Sequence, residues 1–206
     1  DEYLRTSDEN IYAVGDAVET ENFLTRERAV IPLAGPANKM GRMAADNISG
    51  INRRYKGTQG ASVVKVFDMT AAFTGLNERQ LTAAGKKLNV DYKVTVIHPL
   101  SSAGYYPGGT PMSIKLLFAK QDGKVLGVQA VGFKGVEKRV DVVATAIRFG
   151  ATVYDLEELE LCYAPPYSSA KDPVNIAGYA AENILSGLVD NITFGELKDL
   201  PADTVL

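Results

Sequence analysis

The sequence predicts an α+β chain: an antiparallel sheet with helices on one face, preceded by the strand and helix of an open α/β domain. Three observations predict it. Several short strand-like runs lie between residues 63 and 131, the first marked by its β-branched residues. Two longer stretches, 135–149 and 173–187, place apolar residues along a helix. Near the amino end a single strand-like run, 11–14, stops at Gly15, and a Gly35-Pro36 helix start follows it.

The first segment covers residues 1–57. Its strand, 11–14, reads as buried and ends in Gly15, Asp16 and Ala17. Ligands of open parallel sheets sit beyond the carboxyl ends of the strands. Gly15 has no Cβ to keep a ligand away, Asp16 is an acceptor suited to sugar hydroxyls, and Ala17 is small. Pro36 suits the first helical position, and Met40, Met43, Ala44 and Ile48 then share a face. A helix amino end has free N–H groups and partial positive charge, which suit an anion.

The polar 57–60 patch is the predicted boundary, and a second domain spans 58–189. Its first strand is 63–67, continued after a bend by 71–74 and ended by Gly75. Asn77 and Gln80 read as a helix cap, with Leu81 and Ala84 turned inward. Strands follow at 92–97, 113–119 and 125–131, the last two joined by a Gln121-Asp122-Gly123 hairpin signal. The 135–149 helix points Val136, Val140, Val143 and Ile147 one way. A short helical turn is expected at 156–161. Asp172 and Pro173 then open a last helix carrying Ile176, Tyr179, Ala180 and Ile184.

Composition narrows the function. The 206 residues are 46% hydrophobic, which fits a globular core. Net charge is −3 and no Lys/Arg run stands out, so neither nucleic acid nor a membrane surface is an expected partner. The single cysteine, Cys162, excludes an internal disulfide framework and fits a reducing cytoplasm. It reads as a small buried residue rather than a nucleophile. No metal-binding motif is present, and no G-x-G-x-x-G phosphate loop. The chain opens on Asp1, and a sheet cannot consist of one strand. It is therefore expected to be the carboxyl-terminal piece of a longer protein.

Two tyrosine-rich loops dominate the rest. One holds Tyr105 and Tyr106 before Pro107; the other holds Tyr163 and Tyr167 around Pro165 and Pro166. A phenol stays protonated at neutral pH and can donate a hydrogen bond to a thiolate or an oxygen. The prolines limit the loops' freedom. Packing at an interface would also favour tyrosine.

The segments Ile11-Tyr12-Ala13-Val14-Gly15-Asp16 and Pro32-Leu33-Ala34-Gly35-Pro36-Ala37-Asn38-Lys39-Met40-Gly41-Arg42 resemble the FAD-binding carboxyl part of the pyridine nucleotide-disulfide oxidoreductases. The resemblance implies that Gly15, Asp16 and Ala17 meet the ribityl side of FAD. It places Pro32, Leu33, Ala34 and Gly35 at the flavin ring edge. Residues 60–188 resemble that family's dimerisation domain, which implies a homodimer through 58–189 and amino-terminal FAD and NAD domains. The stretch from Tyr163 to Tyr179 resembles the "YxPPYSxxKDPxNxxGY" signature of the coenzyme A-disulfide reductase and NADH oxidase branch. In that branch the tyrosine loops reach the other subunit's flavin and single redox cysteine. The roles fall on Tyr105 or Tyr106 and on Tyr163 or Tyr167, with no choice within each pair.

The family's two-cysteine branch uses a His-Glu pair in this region; here the only histidine is His98, at a strand end, and reads as structural. Residues 190–206 resemble the first turn and strand of a rhodanese-like domain. The expected whole is an FAD enzyme that takes hydride from NAD(P)H and reduces coenzyme A disulfide or persulfide. The alternatives are an NADH oxidase or peroxidase on the same scaffold, or a dimerisation module without activity. The chain alone is expected to be inactive.

Overall fold

The structure, a computed structural model, describes residues 1–204. The chain divides into two compact units, Asp1–Ser62 and Val63–Leu206.

In the first unit a two-stranded ribbon, β1 (Thr20–Glu21) and β2 (Arg28–Ala29), precedes helix α1 (Ala34–Ile48). Met40 and Ala44 of α1 meet Leu4 in a small core, with Tyr12, Val18, Met43 and Tyr55 packed around it. Asn47 is buried on the same face. Its amide donates to the carbonyls of Tyr3 (2.8 Å) and Arg53 (3.0 Å) and accepts from the Arg53 N–H (2.6 Å). One side chain thus ties the helix to the segments before and after it. Ile48, expected on this face, is exposed instead; the polar Asn47 takes the inward position because two backbone strands need its hydrogen bonds.

The expected 11–14 strand is reduced to a single bridge between Arg5 and Tyr12, and Ile11 and Val14 are exposed rather than buried. It pairs with the 4–6 segment, bonded through Thr6 N–H to Ile11 O and Ala13 N–H to Leu4 O. That is too short for a strand ladder.

The second unit is a five-stranded sheet in the order β3 (Ala61–Val66), β4 (Met69–Gly75), β7 (Val125–Gly132), β6 (Met112–Ala119), β5 (Tyr92–Ile97). Strands 63–67 and 71–74, read as one bent strand, are two, divided at Phe67 and Asp68. Phe67 takes φ 52°, which reverses the chain. The β4–β7, β7–β6 and β6–β5 pairs are antiparallel. In register, Thr74, Val128 and Leu116 form one cross-strand row, and Ala72, Ala130 and Ile114 the next. All six are buried, under α3 (Val136–Arg148) on β4 and β7 and α5 (Pro173–Leu185) on β5 and β6. The opposite face carries Phe73, Val131 and Val96, all substantially exposed.

Helix α3 buries Val136, Val140, Val143 and Ile147 as expected, and Arg139 with them. Helix α2 (Glu78–Ala83) has the expected Asn77–Gln80 capping box and buries Leu81, but Ala84 is its exposed carboxyl cap. The helical turn expected at 156–161 lies earlier, as α4 (Val153–Glu157), because Thr152 and Asp155 form a capping box that starts it. The buried face of α5 is also turned from the expected one. Val174, Ala177, Ala181 and Ile184 face inward, while Ile176 and Ala180 are half-buried and Tyr179 is exposed. The cause is α4. A Cβ on Gly178 would stand 2.9 Å from Glu157 Cγ and 3.0 Å from Val153 O, so α5 must present its glycine there. Asn175 completes the contact by donating to the carbonyls of Leu156, Glu157 and Leu159, which close α4.

Cys162 is exposed, not buried as expected; it lies in the irregular stretch after α4, away from any packed face. In the tail, a helical turn α6 (Phe194–Leu197) is capped by Thr193 and Glu196. Asn191 and Glu196 fasten it to Val94 and Asn89. The tail shows no strand among the described residues; Val205 and Leu206 of the expected rhodanese-like start lie outside them. Among the described residues no helix is long and apolar enough to cross a membrane.

The α4–α5 contact also sets a proton. Burial pushes the Glu157 carboxyl up to about 7 from its ordinary 4.5, with the charges of Glu182 and Glu158 adding to the shift. The folded state therefore holds a proton that the unfolded chain loses. The stability this contributes is full below pH 4.5 and is lost as pH rises through about 7. Glu157→Gln should melt about 2–4 °C above the parent on the alkaline side of that window and match it on the acid side, read by thermal unfolding.

Candidate functional site

Each unit presents one group of candidate residues. In the first, Gly15–Ala17 form a single 3-10 turn that packs against α1. Gly15 takes φ 81°, a left-handed conformation that favours glycine, and a Cβ there would touch the Ala37 side chain at 3.8 Å. Asp16 and Ala17 are exposed at the turn. Helix α1 begins at Ala34, capped by Leu33 in extended conformation, so Pro36 is the third helical residue and not the first. It still fits, since a first-turn N–H has no intrahelical acceptor to lose. The N–H groups of Ala34 and Gly35 point out of the helix unused by its ladder, and both residues are exposed. The structure thus brings the Gly15 turn and the α1 amino end together, with Pro32 exposed on the approach. A carboxylate acceptor beside outward N–H donors fits a ligand with both hydroxyls and an electron-rich edge. FAD has both.

In the second unit the two tyrosine loops meet. The first, 100–111, is a strand-end loop closed by the Leu100–Pro111 bridge and by Ser101 N–H to Thr110 O at 2.8 Å. The second runs from Cys162 to Asp172, where the side chain caps α5 by accepting from the Val174 N–H at 3.0 Å. The loops join through the Ala103 N–H, which donates to Ser168 O at 3.0 Å. Beneath the junction lies Arg139 of α3. Its guanidinium pairs with Asp172 at 3.1 Å, both side chains being 3% exposed. It also donates to Ser101 O (3.0 Å), Ser168 Oγ (3.1 Å) and Gly135 O (3.0 Å). Ser168 Oγ in turn donates to Asp172 Oδ2 at 2.6 Å.

Above the junction the Tyr105 and Tyr163 hydroxyls stand 2.8 Å apart. Of the two tyrosines in each loop, Tyr105 and Tyr163 meet, while Tyr106 and Tyr167 are separate exposed side chains. Tyr105 is 77% and Tyr163 45% exposed, so the pair is open to a ligand. Its hydrogen bond to Tyr105 raises the Tyr163 phenol above its ordinary range, with burial second. One hydroxyl donates to the other, and the acceptor becomes a stronger donor outward. This chain of two phenols can hold a proton against a thiolate, sulfenate or peroxide oxygen.

His98 lies on the outer sheet face, its Nδ1 2.9 Å from Ser113 Oγ. Among the described residues no three His, Cys, Asp or Glu side chains gather as a metal site. Arg139 and the Ser168 hydroxyl escaped the sequence reading. The one signal for Arg139 was a charge on the apolar stripe of α3, between Val136 and Val143.

The pattern of the pyridine nucleotide-disulphide oxidoreductase dimerisation domain matches residues 61–173. The chain is 37% identical over 180 residues to a coenzyme A disulfide reductase of Staphylococcus epidermidis, covering 87% of this chain and 40% of that protein. The crystal structure of reduced Bacillus anthracis CoADR-RHD superposes with a TM-score of 0.91 at 53% identity, over 96% of this chain and 35% of that one. The NAD-dependent persulfide reductase from A. fulgidus gives 0.90 at 43% identity, over 97% and 36%. The chain spans about 40% of the length of the curated relatives it matches. It belongs to the pyridine nucleotide-disulphide oxidoreductase family.

Proposed function

We propose that this chain is the FAD-contacting and dimerising part of a cytoplasmic NAD(P)H-dependent flavoenzyme that reduces coenzyme A disulfide or a related persulfide. The observation that carries the reading is the Tyr105–Tyr163 hydroxyl pair, set on two loops that share a buried anchor. Gly15, Asp16 and Ala17 would hold the ribityl chain, and Pro32, Leu33, Ala34 and Gly35 the edge of the flavin ring. Bound there, FAD supplies a two-electron relay between nicotinamide and sulfur. The outward N–H groups of Ala34 and Gly35 favour negative charge at that edge. Tyr105 and Tyr163 would orient the sulfur substrate and protonate or hydrogen-bond the leaving thiolate in the partner subunit's site.

The homodimer this requires would form through residues 58–189. The half-exposed Phe73, Val131 and Val96 face supports that assembly, because apolar area of this kind marks interaction surfaces. The redox cysteine would come from amino-terminal FAD and NAD domains. Residues 190–204 would lead toward a rhodanese-like domain, in keeping with the likeness to CoADR-RHD.

Two experiments on the full-length protein test the reading. Tyr105→Phe/Tyr163→Phe should slow reoxidation of the reduced enzyme by coenzyme A disulfide by about 100-fold, since a positioned proton donor contributes on that order. Flavin content and flavin reduction by NAD(P)H should stay unchanged. Unaltered reoxidation in stopped flow removes the tyrosines from the chemistry. Asp16→Ala should weaken FAD retention by about tenfold, the worth of one charge-assisted hydrogen bond, read as flavin absorbance per protein after dilution. Full retention assigns the ribityl contact to other residues.

A further inference from the structure

We propose that Arg139 is a positioning residue: acting through Ser168 and Asp172, it fixes the spacing of the two tyrosine loops and thereby holds the Tyr105–Tyr163 hydroxyl pair together. The inference rests on the sulfur-site reading for its function, but its geometry stands on this chain alone.

The two tyrosines are 58 residues apart in sequence. Their mutual bond cannot align the loops. A hydrogen bond between exposed hydroxyls contributes little net, and ordering two long side chains costs a similar amount. Something below must bring the loops into register. The guanidinium of Arg139 does so with one rigid fork. It reaches Ser101 O where the first loop starts, Ser168 Oγ in the second loop, and Asp172 where α5 begins. Nη1 donates to Gly135 O at the start of its own helix. Lysine, with a point charge and no plane, cannot make these bonds together.

The chemistry of the anchor also argues for positioning over stability. A buried ion pair is often matched or exceeded in stability by apolar side chains of similar volume. Here the pair does what apolar groups cannot: it fixes direction at two backbone carbonyls and at the Ser168 hydroxyl at once. Ser168 is fully buried, and its hydroxyl links the ion pair to the second loop. It donates to Asp172 and accepts from Arg139, while its own carbonyl receives the Ala103 N–H. Ala103 is two residues from Tyr105 and Ser168 is five from Tyr163, so a shift at the anchor passes to both phenols through short segments.

The test is a phenol titration of the full-length protein by fluorine NMR, with fluorotyrosine incorporated and Tyr163 assigned by its absence in Tyr163→Phe. Tyr105→Phe supplies the position Tyr163 takes without its partner. Two variants loosen the anchor. Ser168→Ala removes the link and leaves the ion pair. Arg139→Met/Asp172→Asn removes both charges together, so no unpaired charge remains, and asparagine still caps α5. In either variant, with far-UV circular dichroism like the parent's, Tyr163 should titrate at or near its Tyr105→Phe position. Coenzyme A disulfide turnover should fall about tenfold with the KM for NAD(P)H unchanged, part of the loss expected for a displaced proton donor. A folded variant in which Tyr163 keeps its parental titration overturns the proposal. A shifted titration with unchanged turnover supports the positioning role and instead contradicts the sulfur-site reading.

Discussion

The second unit depends on one buried charge. Arg139 lies on the inner face of α3, among valines that would exclude it. It is tolerated because its guanidinium is paired with Asp172 and hydrogen-bonded to Ser168, Ser101 and Gly135. Removing one member would leave its partner charged and unpaired in the interior, at a cost of about 3–5 kcal/mol. The constraint reaches beyond stability. The four acceptors belong to the two tyrosine loops, the amino end of α5 and the turn before α3. These bonds tie both loops to α3 and to the amino end of α5.

From this follows the order of the remaining structure. The sheet supplies a flat floor, its inner rows filled by Thr74, Val128, Leu116 and their neighbours. Helices α3 and α5 cover that floor and bring their amino ends toward the anchor. Asn175 and Gly178 then lock α5 against α4, which sets the path of the chain that leads to Tyr163. Rigid elements hold the loops, and the loops hold hydroxyls. This division is common where a binding surface is built on a scaffold. The first unit follows the same logic with fewer parts. A left-handed glycine turn and a helix amino end, joined by packing, present one carboxylate and two N–H groups.

The sequence disclosed much of this because strong local signals agree with the final packing. β5 occupies the expected residues 92–97, and the apolar stripe of α3 has the expected members. Asp172-Pro173 marked the start of α5 because cap and proline act locally. Where the sequence reading failed, a non-local contact had decided the outcome. The inward face of α5 follows from Gly178 meeting Glu157. Asn47 displaces Ile48 from the interior because two distant carbonyls require its amide. The strand expected at 11–14 depends on pairing, and its local pattern says nothing about partners. Among the site residues, the turn at Gly15 and the tyrosine loops were visible as patterns. The Tyr105–Tyr163 match and the Arg139 anchor were not, since both arise from segments brought together only by the fold.

The central claim is that one subunit's paired phenols complete the sulfur site of the other. Mixed dimers test it most directly. One full-length subunit carries Tyr105→Phe/Tyr163→Phe, and the other lacks its redox cysteine; the first homodimer alone reduces disulfide about 100-fold more slowly than the parent, and the second is inactive. If the phenols act across the interface, the mixed dimer contains one intact site and regains turnover at the level of one site per dimer. If its turnover stays no higher than that of the tyrosine-variant homodimer, the phenols serve their own subunit and the account is wrong.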